Sequence, residues 1–151
     1  MVIEKRFQLS EWNEGSRRKV VEYWADRNVR FMHVSENELV GTRGSLLGNM
    51  VSPQMQDVLT TMKVEVTESK ECVCVLDIAT TFQIITSWNR RYWQLELDTF
   101  ESFLLRGERR QAEWASYSTR ANKADCLTSI AIFVGFLILV GLGVWVVMRF
   151  V

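Results

Sequence analysis

The spacing of hydrophobic residues over about residues 12–43 changes from a helical period to short apolar runs. A helical spacing over about residues 12–27, with Ser10 or Asn13 available as its N-cap, predicts a short amphipathic helix. Two short apolar runs follow, residues 29–35 and 39–43, and the polar residues between them predict a β-hairpin. A glycine-containing, turn-rich connection comes next.

Alternation of apolar and polar side chains is clearest over residues 58–67. Such alternation predicts a β-strand with one buried face. Residues 72–81 alternate again after a short polar turn, which predicts a second hairpin. We therefore expect an α+β fold with a four-stranded antiparallel sheet of two hairpins and with helices on one face.

From about Ile84 the apolar residues return every three or four positions, which predicts a long amphipathic helix. Its apolar arc covers roughly 200°, against a usual stripe of about 100°, so we expect this helix to pack on two sides. The N-terminal helix with Trp24, a second copy of the chain or a membrane partner would each cover the additional width. Gly107 interrupts the pattern, and residues 106–125 are expected to form a charged stalk or a helix extension.

The last hydrophobic segment, residues 126–148, is 23 residues long and carries no charge. A helix of that length rises about 1.5 Å per residue and crosses a hydrocarbon core of ~30 Å, so we predict one C-terminal transmembrane helix. The N-terminal residues have no apolar signal segment. Upstream basic residues outnumber the single Arg149 after the span, which predicts a cytosolic domain at residues 1–105 and a tail-anchored, single-pass protein. These upstream basic residues are Arg106, Arg109, Arg110, Arg120 and Lys123.

Small residues within the span are candidates for packing against another helix. Ala131 and Gly135 form one small-xxx-small pair, and Gly141 with Gly143 forms a second smooth patch. Because small residues are common in membrane helices, two interpretations stay open, a partner-helix surface and inert filler.

Composition argues against several classes of function. The 18 Lys and Arg residues balance 18 Asp and Glu residues, so no net positive field favours nucleic acid. His33 is the single histidine, and the three cysteines show no metal-ligand spacing, so neither a metal nor a cofactor is predicted. The sequence shows no set of nucleophile, acid and base that would form a catalytic site, so we do not expect an enzyme.

Asn89 and Glu96 lie seven residues apart and fall inside the apolar arc of the long helix. A carboxylate there must be paired or must have a raised pKa, because burying an unpaired charge is costly. The favoured interpretation is an ion pair with a strand residue such as Arg43. The alternative makes Glu96 a polar handle in a ligand pocket.

An aromatic band along the same helix has two interpretations. It could line a lipid, quinone or pigment pocket between helix and sheet, or it could be ordinary core. Together with the two polar residues above, the candidates for ligand or partner binding are Trp88, Asn89, Tyr92, Trp93, Glu96, Phe100 and Phe103.

Three segments also resemble a small uncharacterised cyanobacterial protein family. They are residues 44–49 (GSLLGN), residues 85–96 (ITSWNRRYWQLE) and residues 100–104 (FESFL). The resemblance covers roughly residues 29–105 and leaves out the anchor. It brings no activity or catalytic residue, and it implies a thylakoid or plasma membrane as the setting.

Two functions are consistent with these patterns. The first is a tail-anchored interaction module, an accessory subunit or assembly factor of a membrane complex that is possibly photosynthetic. Its partners would be the lipid bilayer and an integral membrane protein or a second copy. The alternative is a module that binds a lipid, quinone or pigment between the sheet and the long helix.

Overall fold

The computed structural model describes residues 1–46, 48, 55–80, 87–108, 116 and 138, without the side chains of residues 56, 87 and 88. The predicted α+β class is confirmed. Strands and helices follow one another as β1 (Val2–Gln8), α1 (Glu14–Ala25), β2 (Arg30–Val34), β3 (Glu38–Arg43), a 3-10 turn (Met55–Asp57), β4 (Thr60–Val66), β5 (Glu71–Ile78) and α2 (Ser87–Arg106).

The sheet has five antiparallel strands in the order β1-β5-β4-β3-β2, so the prediction of four strands was wrong. The missing strand is β1, which pairs with β5 in a register that sets Ile3 opposite Leu76 and Phe7 opposite Cys72. The sequence of β1 does not show the apolar–polar alternation of a strand, because charged residues lie between Ile3 and Phe7, the two buried residues among its seven. Its place beside β5 depends on pairing with residues some 70 positions later in the sequence.

Both predicted hairpins are present, and β3 also pairs with β4, so the hairpins join into one continuous sheet. The side chain of Ser35 closes the first hairpin, because its hydroxyl accepts a hydrogen bond from the Glu38 amide at 3.0 Å. A bulge between Phe31 and His33 interrupts the outer strand β2.

The two helices cover one face of the sheet, as expected, and share a single hydrophobic core with it. Asn13 is the N-cap of α1, and its Oδ1 accepts a hydrogen bond from the amide of Ser16 at 3.0 Å. At the other end of the fold, α2 ends at Arg106, and the amide of Gly107 donates to the carbonyl of Phe103 at 2.9 Å. Gly107 has φ +71°, a left-handed conformation that suits glycine at a helix end.

The predicted stalk at 106–125 lies outside the described residues except for 106–108 and 116, and the predicted span at 126–148 lies outside them except for Ile138. Within the described part of the chain, no helix combines the length and the apolar character needed to cross a membrane.

Candidate functional site

The centre of the candidate site is Glu96, which α2 directs into the core, where it is fully buried. Arg43 is the last residue of β3 and lies on the buried face of that strand, two positions after Gly41. Its Nη1 donates to Oε1 of Glu96 at 2.6 Å, and its Nη2 donates to Oε2 at 2.5 Å. The predicted ion pair between the long helix and Arg43 is therefore present, in the bidentate geometry that suits a guanidinium fork.

A second guanidinium, that of Arg27, lies beside the same carboxylate. The Nε of Arg27 is 3.8 Å from Oε1 of Glu96, which is within ion-pair distance but beyond hydrogen-bond distance. The guanidinium carbon lies 3.6 Å from the centroid of the Tyr23 ring, and Nη1 donates to the Tyr23 carbonyl at 3.1 Å. We call Arg27, Arg43 and Glu96 the Glu96 cluster.

The sequence prediction missed Arg27, although a signal was present. Val20, Tyr23, Trp24 and Arg27 follow the spacing i, i+3, i+4, i+7, so Arg27 continues the apolar face of α1 just beyond the end of the helix. A charged residue on such a face is a candidate for a buried ion pair. Nothing in the sequence shows that its partner is Glu96, which is 69 positions away.

Aromatic and hydroxyl side chains enclose the Glu96 cluster. The guanidinium of Arg43 lies over the ring of Trp93, 4.7 Å from its centroid. The main-chain carbonyl of Glu96 accepts hydrogen bonds from the hydroxyl of Tyr23 at 3.1 Å and from Oγ1 of Thr99 at 2.9 Å. The charges are thus held in a low-dielectric environment, where Coulombic interactions are stronger than in water.

Protonation states follow from this environment. Burial by itself would lower the pKa of Arg43, but the attraction of Glu96 and its hydrogen bonds outweigh that effect, so the pKa of the guanidinium is raised. Burial raises the pKa of the Tyr23 and Tyr92 hydroxyls, which stay protonated at neutral pH. Among the described residues, the buried acidic and basic side chains are those of Arg27, Arg43 and Glu96.

The other predicted site residues are brought together, but inside the protein. Phe100 packs against Phe7 of β1 and against Tyr23 and Trp24 of α1, with ring centroids 6.0, 5.1 and 5.2 Å away. Of the three surfaces expected to pack on the second side of α2, the structure shows the N-terminal helix α1. The strand β1, which was not predicted, packs there too. The buried candidates are Asn89, Tyr92, Trp93, Glu96, Phe100 and Phe103.

The remaining predicted site residues are not described. The side chain of Trp88 lies outside the described part of the structure, and so do the span candidates Ala131, Gly135, Gly141 and Gly143.

Metal and thiol chemistry receive no support from the described residues. Among them, no group of three or more His, Cys, Asp or Glu side chains is placed to hold a metal ion. Cys72 and Cys74 are free and buried, and burial raises the pKa of Cys72 to about 12. The pKa of Cys74 is raised well above its ordinary value, also chiefly by burial.

No family model, no curated protein and no solved structure matches this chain. We therefore infer its function from its own residues.

Proposed function

We propose that this chain is a membrane-tethered interaction module, an accessory subunit or assembly factor without a catalytic role. In this proposal the α+β domain lies on the cytosolic side, and residues 126–148 cross the bilayer. The observation that carries it is the uncharged 23-residue segment, with five basic residues before it and one after it. The resemblance to cyanobacterial proteins favours a thylakoid or plasma membrane.

The packing of α2 bears on where a partner would bind. Phe100 and Tyr92 are fully buried by the chain itself, so the described part of the aromatic band needs no partner to cover it. We therefore assign partner contact first to the anchor, whose pair Ala131 and Gly135 would let a helix of an integral membrane protein or of a second copy approach closely.

Extraction with a mild detergent, followed by native electrophoresis and identification of co-migrating proteins, tests this proposal. We expect the chain to migrate with an integral membrane protein or as an oligomer. The double variant Ala131→Leu/Gly135→Leu should disrupt that association, because larger side chains keep the helices apart. The matched control is Val140→Leu, which adds bulk on the opposite side of the same helix. Migration of the unaltered chain as a bare monomer would refute the proposal.

The second candidate function, a module that binds a lipid, quinone or pigment, is favoured by a different observation. The core between the sheet and α2 contains the Glu96 cluster, enclosed by aromatic rings. Two buried donors of this core, Nε1 of Trp24 and Nε of Arg43, make no hydrogen bond within the described structure. Mass spectrometry of small molecules released from the gently purified chain tests this function. A stoichiometric lipid, quinone or pigment would support it, and the absence of any such molecule would exclude tight binding.

A further inference from the structure

The edge strand β2 and the neighbouring flank of α1 carry apolar side chains that are open to solvent in the described structure. Met32 and Val34 of β2 are 65 % and 50 % exposed. Phe31 of β2 and Val21 of α1 are half-buried and pack against the core. Apolar surface of this kind, when it is contiguous, marks a contact site.

The strand register places the apolar residues of β2 on the side of the sheet that the helices cover. Phe31 lies opposite Gly41, and Val34 lies opposite Leu39. Residues directly opposite each other in an antiparallel pair share a face, and both Gly41 and Leu39 are buried. Because β2 is the outermost strand, Phe31 and Val34 lie at the margin of the helix layer and stay partly exposed.

The packing of Tyr23 shows which flank of α1 lies beside β2. Tyr23 faces α2, since its ring centroid is 5.1 Å from that of Phe100 and its hydroxyl donates to the carbonyl of Glu96. At about 100° per residue, Arg17 and Val21 lie roughly 120° and 160° around the helix from Tyr23. They therefore lie on the side of α1 away from α2. That side is the β2 side, because α2 packs on β1 at the opposite edge of the sheet.

Two arginines border these apolar side chains. Arg17 precedes Val21 by about one helical turn, and Arg30 is the first residue of β2. Neither guanidinium makes an ion pair with a described residue. We call the following six residues the β2 surface: Arg17, Val21, Arg30, Phe31, Met32 and Val34.

Acidic residues lie at one end of the β2 surface. Glu14 begins α1, and Glu36 lies in the turn after β2, where its carbonyl accepts a hydrogen bond from Nε1 of Trp12 at 2.8 Å. Arg30 lies at the opposite end of the strand, so a positive charge without an ion-pair partner adjoins the exposed Met32.

The helix-free face of the sheet differs, because its charges are already paired. Lys63 on that face lies 2.9 Å from Oε1 of Glu38 and 3.0 Å from Oε2 of Glu65. Among the described surfaces, the β2 surface is thus the one that combines exposed apolar side chains with arginines free to bind an external anion.

This combination suits a bilayer surface. Apolar side chains can enter the headgroup region while neighbouring cations contact anionic headgroups. Residues 109–125, which join the domain to the proposed anchor, span at most about 55 Å in any conformation. A domain of about 100 residues has a radius of gyration of about 13 Å, so that tether lets the β2 surface reach the lipid.

We propose that the β2 surface docks onto the anionic lipid headgroups of the bilayer in which the chain is anchored. The inference rests on the proposed membrane tether and deepens it by naming the side of the domain that faces the lipid. Arg17 and Arg30 bind lipid phosphates, and Met32 and Val34 enter the headgroup region. Such a small surface does not hold the domain at the membrane alone, and the anchor supplies the high local concentration.

The oxidation of Met32 by hydrogen peroxide tests the inference, since an exposed thioether is oxidised and a covered one is protected. The full-length chain is reconstituted in vesicles of phosphatidylcholine alone and of phosphatidylcholine with phosphatidylglycerol, and peptide mass spectrometry follows the sulfoxide. Each basic residue near an anionic surface shifts the docking equilibrium about fivefold, so we expect Met32 to be oxidised at least about fivefold more slowly in the anionic vesicles. Met55 and Met62 are 2 % and 1 % exposed, and their protection shows that the domain stays folded.

Two further conditions bear on the same measurement. In about 1 M sodium chloride, where the Debye length is about 3 Å, the difference between the two lipids should disappear. Equal rates in the two kinds of vesicle at low salt would overturn the inference. Equally slow oxidation in both would overturn it as well, because a protein surface, of a second copy or of this chain, would then cover Met32.

Two double variants assign a positive result to the β2 surface. Arg17→Gln/Arg30→Gln should remove the difference between the lipids, because the headgroups lose their two cationic partners. Arg90→Gln/Arg91→Gln makes the same change of charge at exposed positions of α2 and should leave the difference intact. If the first variant keeps the full difference, the docking surface lies elsewhere and the inference is wrong.

Retention on the vesicles through an alkaline carbonate wash measures the anchor independently of Met32. A chain that is retained, but whose Met32 is oxidised equally fast in both lipids, keeps the tethered module and overturns the docking surface. Loss of the chain in the wash would overturn the tether, and with it the inference.

Discussion

At the residue scale, Glu96 lies beside two guanidiniums, so substitutions of Glu96 and of Arg43 should lower stability by different amounts. Glu96→Gln removes the carboxylate that pairs with Arg43 and lies beside Arg27, and it should lower the free energy of unfolding by about 3–5 kcal/mol. Arg43→Met leaves Glu96 paired with Arg27 and should lower it by clearly less. Chemical denaturation in chloride buffer measures both values.

A partly exposed ion pair between β1 and α2 provides the control for the Glu96 cluster. Lys5 of β1 lies 2.8 Å from Glu101 of α2 in a partly exposed ion pair. Glu101→Gln should therefore cost less than about 1 kcal/mol. Equal losses for Arg43→Met and Glu96→Gln would show that Arg27 does not balance the carboxylate.

Two glycines with nearly the same backbone conformation allow a test of steric crowding at single residues. Gly44 has φ +70° and Gly107 has φ +71°. A Cβ on Gly44 would lie 2.4 Å from the carbonyl oxygen of Val58, whereas a Cβ on Gly107 would have no described neighbour within 4 Å. Gly107→Ala should cost about 1 kcal/mol through its conformation alone, and Gly44→Ala should cost at least about 2 kcal/mol more.

Thermal unfolding of the two variants under the same conditions gives the comparison. Similar losses for both glycines would mean that the connection after β3 moves away from Val58 and accommodates the added methyl group.

The buried thiols give a prediction about pH. Because burial raises the pKa of Cys72 to about 12 and that of Cys74 well above its ordinary value, neither side chain forms appreciable thiolate at pH 8. We expect iodoacetamide to leave both residues unmodified in the folded chain and to modify both in denaturant. Peptide mass spectrometry measures the two modifications separately. Rapid labelling of Cys74 in the folded chain would contradict the described packing of β5.

At the scale of secondary-structure elements, the edge strands differ in how they are held. β1 is tied to α2 by the contact of Phe7 with Phe100 and by the ion pairs of Lys5 with Asp98 and Glu101. The opposite edge strand β2 contains a bulge, and Met32 and Val34 on it are 65 % and 50 % exposed. Bulges disturb the regular pairing of an edge strand with another chain, so β2 is protected against edge-to-edge association.

The docking of β1 can be measured with two substitutions in the same strand. Phe7→Ala removes a buried aromatic ring and should lower the free energy of unfolding by about 3–5 kcal/mol. Val2→Ala changes a side chain that is 63 % exposed and should alter it by less than about 0.5 kcal/mol. Urea unfolding of both variants tests the prediction, and losses of equal size would argue against β1 as a docked strand.

At the scale of the whole molecule, the internal covering of α2 leads to a prediction about truncation. The described aromatic side chains of α2 are buried within one core shared with α1 and the sheet, so a chain of residues 1–125 should fold without the anchor. We expect it to be soluble without detergent, to keep an α+β circular dichroism spectrum and to be absent from membrane fractions that retain the full-length chain. Aggregation of the truncated chain would mean that the domain needs the anchor or the membrane to cover apolar surface.

The sequence by itself determined the features that depend on local periodicity. Alternation over residues 58–67 predicted β4, the helical period after Ile84 predicted α2, and Gly107 predicted its end, because each pattern reflects neighbours within a few positions. The buried side of α2 also follows from that period, and so the requirement that Glu96 be paired was predictable.

Only the tertiary structure decided which distant residues meet. The charged strand β1 joins the sheet because β5 offers it an unpaired edge, and no local pattern in residues 2–8 indicates that partner. Arg27 becomes the second cation at Glu96 because α1 packs against α2 with Tyr23 beside Phe100. Pairing and packing of this kind are non-local, and they decided both the fifth strand and the meeting of Arg27 with Glu96.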